Sequence, residues 1–257
     1  MGVINVSPES QLMPCDGVAS AVARGIKLVS EGADLLDIGG ESTRPYTPSV
    51  SAAEELQRVI PAIRALKRET TIPLSIDTKK PEVAEAALAE GVSVINDVSG
   101  FTDPAMRRLA KESGVQICMM HMQGSPENMQ DNPTYPKGIV AEIKEWFMRQ
   151  IDQLLAEGVK PQQIILDPGI GFGKTVAHNL EIIQNLAEFK GIGFPVLLGV
   201  SRKSFIARIL QKKADELLPA TLALTAIALM ADVDFLRVHD VWETADVVNV
   251  VKAYKNA

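Results

Sequence analysis

The chain predicts a parallel (β/α)₈ barrel, an α/β fold built as one domain over residues 1–257. Three observations carry this. Short apolar runs recur along the sequence, each run ends in a polar or ionisable residue, and stretches with helical spacing separate them. At 257 residues the chain also has about the length of one such domain, for which roughly 250 is typical.

The runs are GVINVS (2–7), DLLDIGG (34–40), PLSIDT (73–78), VSVINDV (92–98), VQICMMH (115–121), QIILDPG (163–169), PVLLGVSRK (195–203) and FLRVHD (235–240). Their apolar character fits strands buried on both faces. Helices are expected over 20–32, 52–69, 81–91, 104–114, 138–158, 178–189, 204–211 with 216–232, and 243–254, with Gly32, Gly91, Gly114 and Gly158 as left-handed caps. Two connections, 7–17 and 41–51, are longer and less regular, as loops that close over a ligand are. Met1 stands at the start of the first run, so the chain reads as a barrel lacking the N-terminal segment that covers its bottom.

Apolar residues make up 46% and charged residues 23%, as in a globular domain with a large core. A net charge of -6 and the lack of any basic block argue against a nucleic-acid partner. Cys15 and Cys118 give neither a disulfide framework nor metal spacing, so the reducing cytoplasm is the expected compartment. No apolar stretch approaches the roughly 18 residues of a membrane span, and no leader precedes the first strand, so no membrane partner is expected.

In such a barrel the carboxyl ends of the strands meet at one mouth, which would gather Asn5, Asp37, Asp77, Asn96, His121, Asp167, Lys203, Arg237 and His239. Asp77, Asn96 and Asp167 together offer the acceptors and the donor that read a flat heterocycle with amino and ring N–H groups. Helix capping is the plainer explanation for any one of them, and their coincidence on one rim favours a ligand. LDPGIGFGKT (166–175) is not a phosphate loop, because Pro168 stands where that motif needs its first glycine. It is a glycine-rich turn that lets backbone approach a ligand, with Phe172 as a wall; a purely structural turn explains the glycines nearly as well. SRKS (201–204) supplies the Lys203 cation and Ser204 at a helix start, and RVHD (237–240) supplies Arg237 and His239 as donors for phosphate oxygens. These lie in the seventh and eighth βα loops, the usual phosphate region of such barrels; a solvated basic rim is the alternative. The three histidines, His121, His178 and His239, are too far apart in sequence for a zinc motif.

In order and spacing, GVINVSP, DIGGESTRP, SIDT, VINDVSG, MMHMQGSPENMQ, ILDPGIGFGKT, GVSRKS and RVHD resemble the motif series of the dihydropteroate synthase family, pterin-binding TIM-barrel enzymes of folate biosynthesis and the target of sulfonamides. The resemblance implies condensation of 6-hydroxymethyl-7,8-dihydropterin pyrophosphate with p-aminobenzoate, giving 7,8-dihydropteroate and pyrophosphate. It implies pterin contacts at Asp77, Asn96, Met120, Asp167, Phe172 and Lys203, and p-aminobenzoate contacts at Thr43, Arg44, Pro45 and Ser204. It further implies pyrophosphate contacts at Asn5, Arg237 and His239, with Mg²⁺ as cofactor held through Asn5. Asp77, Lys203, Arg237 and His239 would be the catalytic residues, and a homodimer built on late helices is the expected assembly.

One stretch departs from the pattern. NVSPESQLMPCDG (5–17) stands where the family reads like NVTPDSFSDGG, so Glu9 replaces an Asp, Gln11 replaces an aromatic of the p-aminobenzoate pocket, and the spacing to Asp16 and Gly17 is longer. Tyr46 stands where Gly follows RP. The expected consequence is weaker use of p-aminobenzoate. Two other readings are a pterin-dependent methyltransferase of the same barrel family, which has no need of SRKS with RVHD, and a pterin-binding homologue without turnover.

Overall fold

The apolar runs form parallel strands β1 (Gly2–Asn5), β2 (Leu36–Gly39), β3 (Leu74–Asp77), β4 (Val94–Asp97), β5 (Gln116–Met120) and β6 (Ile164–Asp167), hydrogen-bonded in sequence order. The computed structural model describes residues 1–9 and 12–257. β7 (Leu197–Leu198) and β8 (Phe235–Leu236) pair with each other in parallel. Single bridges complete the ring, Leu166 to Val196 on one side and Gly2 to Val238 on the other. The second seam is a reciprocal pair, Val3 N donating to Val238 O at 3.1 Å and Val238 N to Met1 O at 3.0 Å.

Alternation along each strand sets the chemistry of the two faces. Ile4, Leu36, Ile38, Leu74, Ile76, Ile95, Ile117, Ile164 and Leu198 face outward into the main core against the helices. The residues between them face inward. At mid-barrel these are apolar, with Cys118, Ile165 and Leu197 packed together beside Met1 and Phe235. One residue pair further along, at the carboxyl ends, the inward positions include Asp77, Asn96, Asp167 and Arg237, with Asp37 of β2 one residue pair below the level of Asp77.

The surrounding helices are α1 (Gly17–Ser30), α2 (Ala52–Glu69), α3 (Pro81–Ala89), α4 (Pro104–Ser113) and α5 (Ile139–Glu157). They continue as α6 (Val176–Gln184), α7 (Leu186–Lys190), α8 (Ser204–Leu210), α9 (Leu218–Met230) and α10 (Val241–Lys255). Gly32, Gly91, Gly114 and Gly158 follow helices with φ of 99°, 82°, 67° and 100°, the left-handed geometry expected of them. One stretch expected as a single helix is broken, and the two segments expected within 204–232 are separate helices. Over 178–189 the Asn185 amide donates to Glu181 O at 2.7 Å, and the chain restarts as α7. Over 204–232, Gln211 takes a left-handed conformation at φ 53°, ending α8 before Pro219 opens α9.

Candidate active site

Arg237 is the hub of the barrel mouth. Its Nε donates to Asp37 Oδ2 at 2.6 Å and its Nη2 to Asp77 Oδ2 at 2.6 Å, joining β2 and β3 to the end of β8. Asn96 Nδ2 donates to the same Asp37 oxygen at 3.1 Å. Asp167, at the end of β6, accepts Gly169 N–H at 2.8 Å through Oδ1. Lys203 sets its ammonium 4.3 Å from the centre of the Phe172 ring, a cation–π contact. Thr43, Asp77, Asn96, Met120, Asp167, Phe172, Lys203 and Arg237 thus line one cavity, together with Val98, Ile170 and Gly199.

That cavity measures only about 20 Å³, room for about one water, with Arg237 on its wall. A hollow of about 660 Å³ opens at the opposite end of the barrel, beside Met1, Pro73, Gln116 and Phe235. The larger volume is not where the chemistry is: the buried ionisable groups converge at the carboxyl ends of the strands.

Burial pushes the Asp77 carboxyl up to about 7, against the opposing pull of Arg237. It also raises Asp167, against the Gly169 N–H and the Lys203 charge. Burial lowers Lys203 to about 8, with Asp167 acting the other way. Burial works against the Arg237 guanidinium too, but Asp37 and Asp77 outweigh it and bind its proton more tightly than usual. Among the described residues, Asp37 Oδ1 and Asp77 Oδ1 are buried and accept no hydrogen bond. The site therefore holds unused acceptors around a positive group, which suits a ligand that brings N–H donors or positive charge of its own.

The other expected site residues stand on the connections around this cavity. Asn5, at the end of β1, donates from Nδ2 to Leu12 O at 3.0 Å. His239 is neutral, burial having lowered it to about 3, and its Nδ1 lies 2.9 Å from Ser201 Oγ. Its carbonyl accepts from Arg24. Ser204 is exposed and opens α8. Thr43, Arg44 and Pro45 sit on the β2–α2 connection, which Glu41 anchors through Lys79 at 3.1 Å and through Lys80, itself paired with the buried Glu55. Arg58 of α2 ties both long connections together, donating to Gly40 O at 2.8 Å and pairing with Glu9 at 2.9 Å. Gln11 lies outside the described residues. Tyr46 has φ 62°, the left-handed region that costs a non-glycine residue about 1 kcal/mol, which accounts for glycine being usual after RP.

His121 does not join the mouth. Its neighbour Met120 takes the inward position, so the imidazole turns outward, where it packs edge-on against Trp146 with ring centres 5.1 Å apart. The glycines of LDPGIGFGKT also have a different job from the one expected. A side chain at Gly169 would sit 1.9 Å from His121 O, and one at Gly173 would sit 2.6 Å from Gln123 O. They permit two strand-end loops to touch backbone to backbone, while Gly171, 3.4 Å from the Lys203 side chain, and Gly169, 3.2 Å from the Met120 side chain, also border site residues. Two residues were given no role by sequence reasoning: Asp37, which the strand-end pattern placed at the mouth, and Lys174, seen only as part of a failed phosphate-loop match.

The sequence model of the pterin binding enzyme family matches residues 1–239. The dihydropteroate synthase of Escherichia coli (strain K12) is 40% identical over 262 residues, covering 100% of this chain and 92% of that protein. A crystal structure of Yersinia pestis dihydropteroate synthase with a sulfonamide drug superposes with a TM-score of 0.97 at 37% identity, covering 100% of this chain and 94% of that one. Xanthomonas albilineans dihydropteroate synthase with 4-aminobenzoic acid gives 0.93 at 39% identity, covering 100% and 93%. A match of this depth over 100% of the chain places it plainly: it belongs to the pterin-binding enzymes and, among them, to the dihydropteroate synthases.

Proposed function

We propose that this chain condenses 6-hydroxymethyl-7,8-dihydropterin pyrophosphate with p-aminobenzoate, releasing pyrophosphate and 7,8-dihydropteroate. The observation that carries the reading is the ring of Asp77, Asn96, Asp167 and Lys203 around a small cavity bordered by Arg237, whose guanidinium holds Asp77. The pterin takes the place of that guanidinium. Asp167 and the Asn96 amide oxygen accept from its amino and ring N–H groups, Phe172 and Met120 border its faces, and Lys203 donates to its acceptors. Arg237, displaced from Asp77, turns with His239 to the pyrophosphate. As the bond from the methylene carbon to the pyrophosphate oxygen breaks, positive charge grows on the pterin and negative charge on the leaving group. Asp77, whose Oδ1 accepts no hydrogen bond from the protein, takes the first as its counter-cation, and Arg237 and His239 stabilise the second. The p-aminobenzoate nitrogen, held by Thr43, Arg44, Pro45 and Ser204, supplies the new C–N bond; an arylamine needs no strong base.

Mg²⁺ fits the donor set. Asn5 uses its Nδ2 on Leu12 O, turning its amide oxygen away from that carbonyl as a neutral ligand. Among the described residues no group of three or more His, Cys, Asp or Glu forms a metal cage, which agrees with a cation that takes most of its ligands from water and substrate phosphates. When bound it would offset charge on the departing pyrophosphate. Chelation is accordingly expected to lower turnover by about a hundredfold or more while leaving the Kd for a free pterin within about twofold. Equal loss of both would contradict a role at the pyrophosphate.

The working unit is a homodimer, supported by exposed Ile227, Met230, Trp242, Val250 and Tyr254 on the adjoining helices α9 and α10. No helix among the described residues is long and apolar enough to cross a membrane, and the cytoplasm is the proposed location. Release of one pyrophosphate per dihydropteroate formed, dependent on both substrates and Mg²⁺, is the direct test. A chain that binds the pterin but releases no pyrophosphate is a binding homologue, and transfer of a methyl group from a methylated pterin would support the methyltransferase.

A further inference from the structure

Lys174 is buried to 2% exposure behind the Phe172 wall, and its contacts are not those of a structural ion pair. Its ammonium donates to Phe172 O at 2.9 Å and His121 O at 3.2 Å, and it meets His121 Nδ1 at 3.1 Å. Among the described residues no carboxylate pairs with it, although a methionine of similar length would fill the same space without the cost of a buried charge. That cost is visible: burial lowers the ammonium to about 7, against the field of Asp167 and together with that of Lys203. The His121 imidazole stays neutral beside it, burial having lowered it to about 2, and so serves as acceptor.

Two features connect this cation to the pterin pocket. It holds the backbone of Phe172 itself, in a seam closed further by Tyr135 Oη donating to Gly173 O at 2.8 Å and Gln130 Nε2 to Gly171 O at 2.9 Å. Its charge also reaches Asp167, where it favours the ionised carboxylate. On the reading proposed above, we infer that Lys174 is a positioning residue for the pterin: it fixes the Phe172 wall and keeps Asp167 ionised to accept the ring N–H groups. The charged or titratable groups around it are Asp167 at the end of β6, His121 after β5, His178 on α6 and Lys203 before α8, with Arg237 after β8 acting on Asp167.

The test is Lys174→Met, with Lys174→Gln as a second variant that keeps donors for the two carbonyls and drops the charge. Tyr135→Phe, which opens the same seam without touching a charge, is the control. Calorimetry with the pterin pyrophosphate is expected to give a Kd raised about thirtyfold at pH 6 in both Lys174 variants, with the KM for p-aminobenzoate within about twofold. Because the ammonium itself loses its proton near pH 7, the difference from the parent should shrink by about pH 9. Tyr135→Phe should keep the parent's pH profile. Unchanged pterin affinity in the Lys174 variants, or a loss that is the same at every pH and shared by both substrates, would overturn the inference and leave a loop strut. Failure of the parent chain to bind the pterin pyrophosphate would instead overturn the functional reading.

Discussion

Replacing Asp167 by Asn is expected to weaken binding of the dihydropterin pyrophosphate by about 2–4 kcal/mol, a loss of roughly thirtyfold to a thousandfold. The size of the effect comes from an orientation the structure imposes. Asp167 Oδ1 accepts Gly169 N–H at 2.8 Å, so the asparagine oxygen must stay on that side. Its Nδ2 then faces the cavity, setting donor against the donors of the pterin edge. The variant should fold normally, since that turn bond survives and removing a buried charge relieves a cost. Titration calorimetry against the free pterin reads the effect without involving turnover. Equal affinities in parent and variant would remove Asp167 from the pterin site.

The second large effect concerns Arg237. Arg237→Met is expected to destabilise the fold by about 2–4 kcal/mol at pH 7.5, because Asp37 and Asp77 keep their burial and lose the cation they share. The figure is set below that of a fully enclosed pair, since 22% of the Arg237 side chain still reaches solvent. The pH dependence has a definite sign. Asp77 in the folded chain already titrates near 7, above its unfolded value, and losing the guanidinium raises it further. The folded variant therefore binds more protons than the unfolded chain through the range from about pH 4 upward, so its stability rises as the pH falls. The deficit against the parent should be largest above pH 7 and should shrink at pH 5, as read by urea unfolding. A deficit that is independent of pH would mean that Asp37 and Asp77 are not held by Arg237.

Most of the barrel was legible because outward-facing strand positions are almost all branched aliphatics, which mark the strands wherever helices pack on them. The convergent ends were legible for the same reason in reverse, as Asp77, Asn96 and Asp167 interrupt apolar runs at inward positions. Alternation also contained information that the motif reading passed over. With Cys118 and Met120 facing inward, His121 had to turn outward, and the same count assigns Asp37 to the inner face beside Asp77. What no local pattern carries is contact between loops. The seam that occupies Gly169, Gly173 and Lys174 joins residues separated by 53 positions, and nothing in LDPGIGFGKT says that its close approach is to His121 and Gln123 rather than to a ligand. The break after α6 depends on one side-chain hydrogen bond, which helical spacing does not register.

A crystal structure of the chain with Mg²⁺ and a non-reactive analogue of the pterin pyrophosphate is expected to show the pterin between Asp77 and Asp167, Asp167 within hydrogen-bond reach of the ring N–H groups, and the guanidinium moved from Asp77 to the pyrophosphate. A pterin bound elsewhere, with Arg237 still bridging Asp37 and Asp77, would contradict that placement.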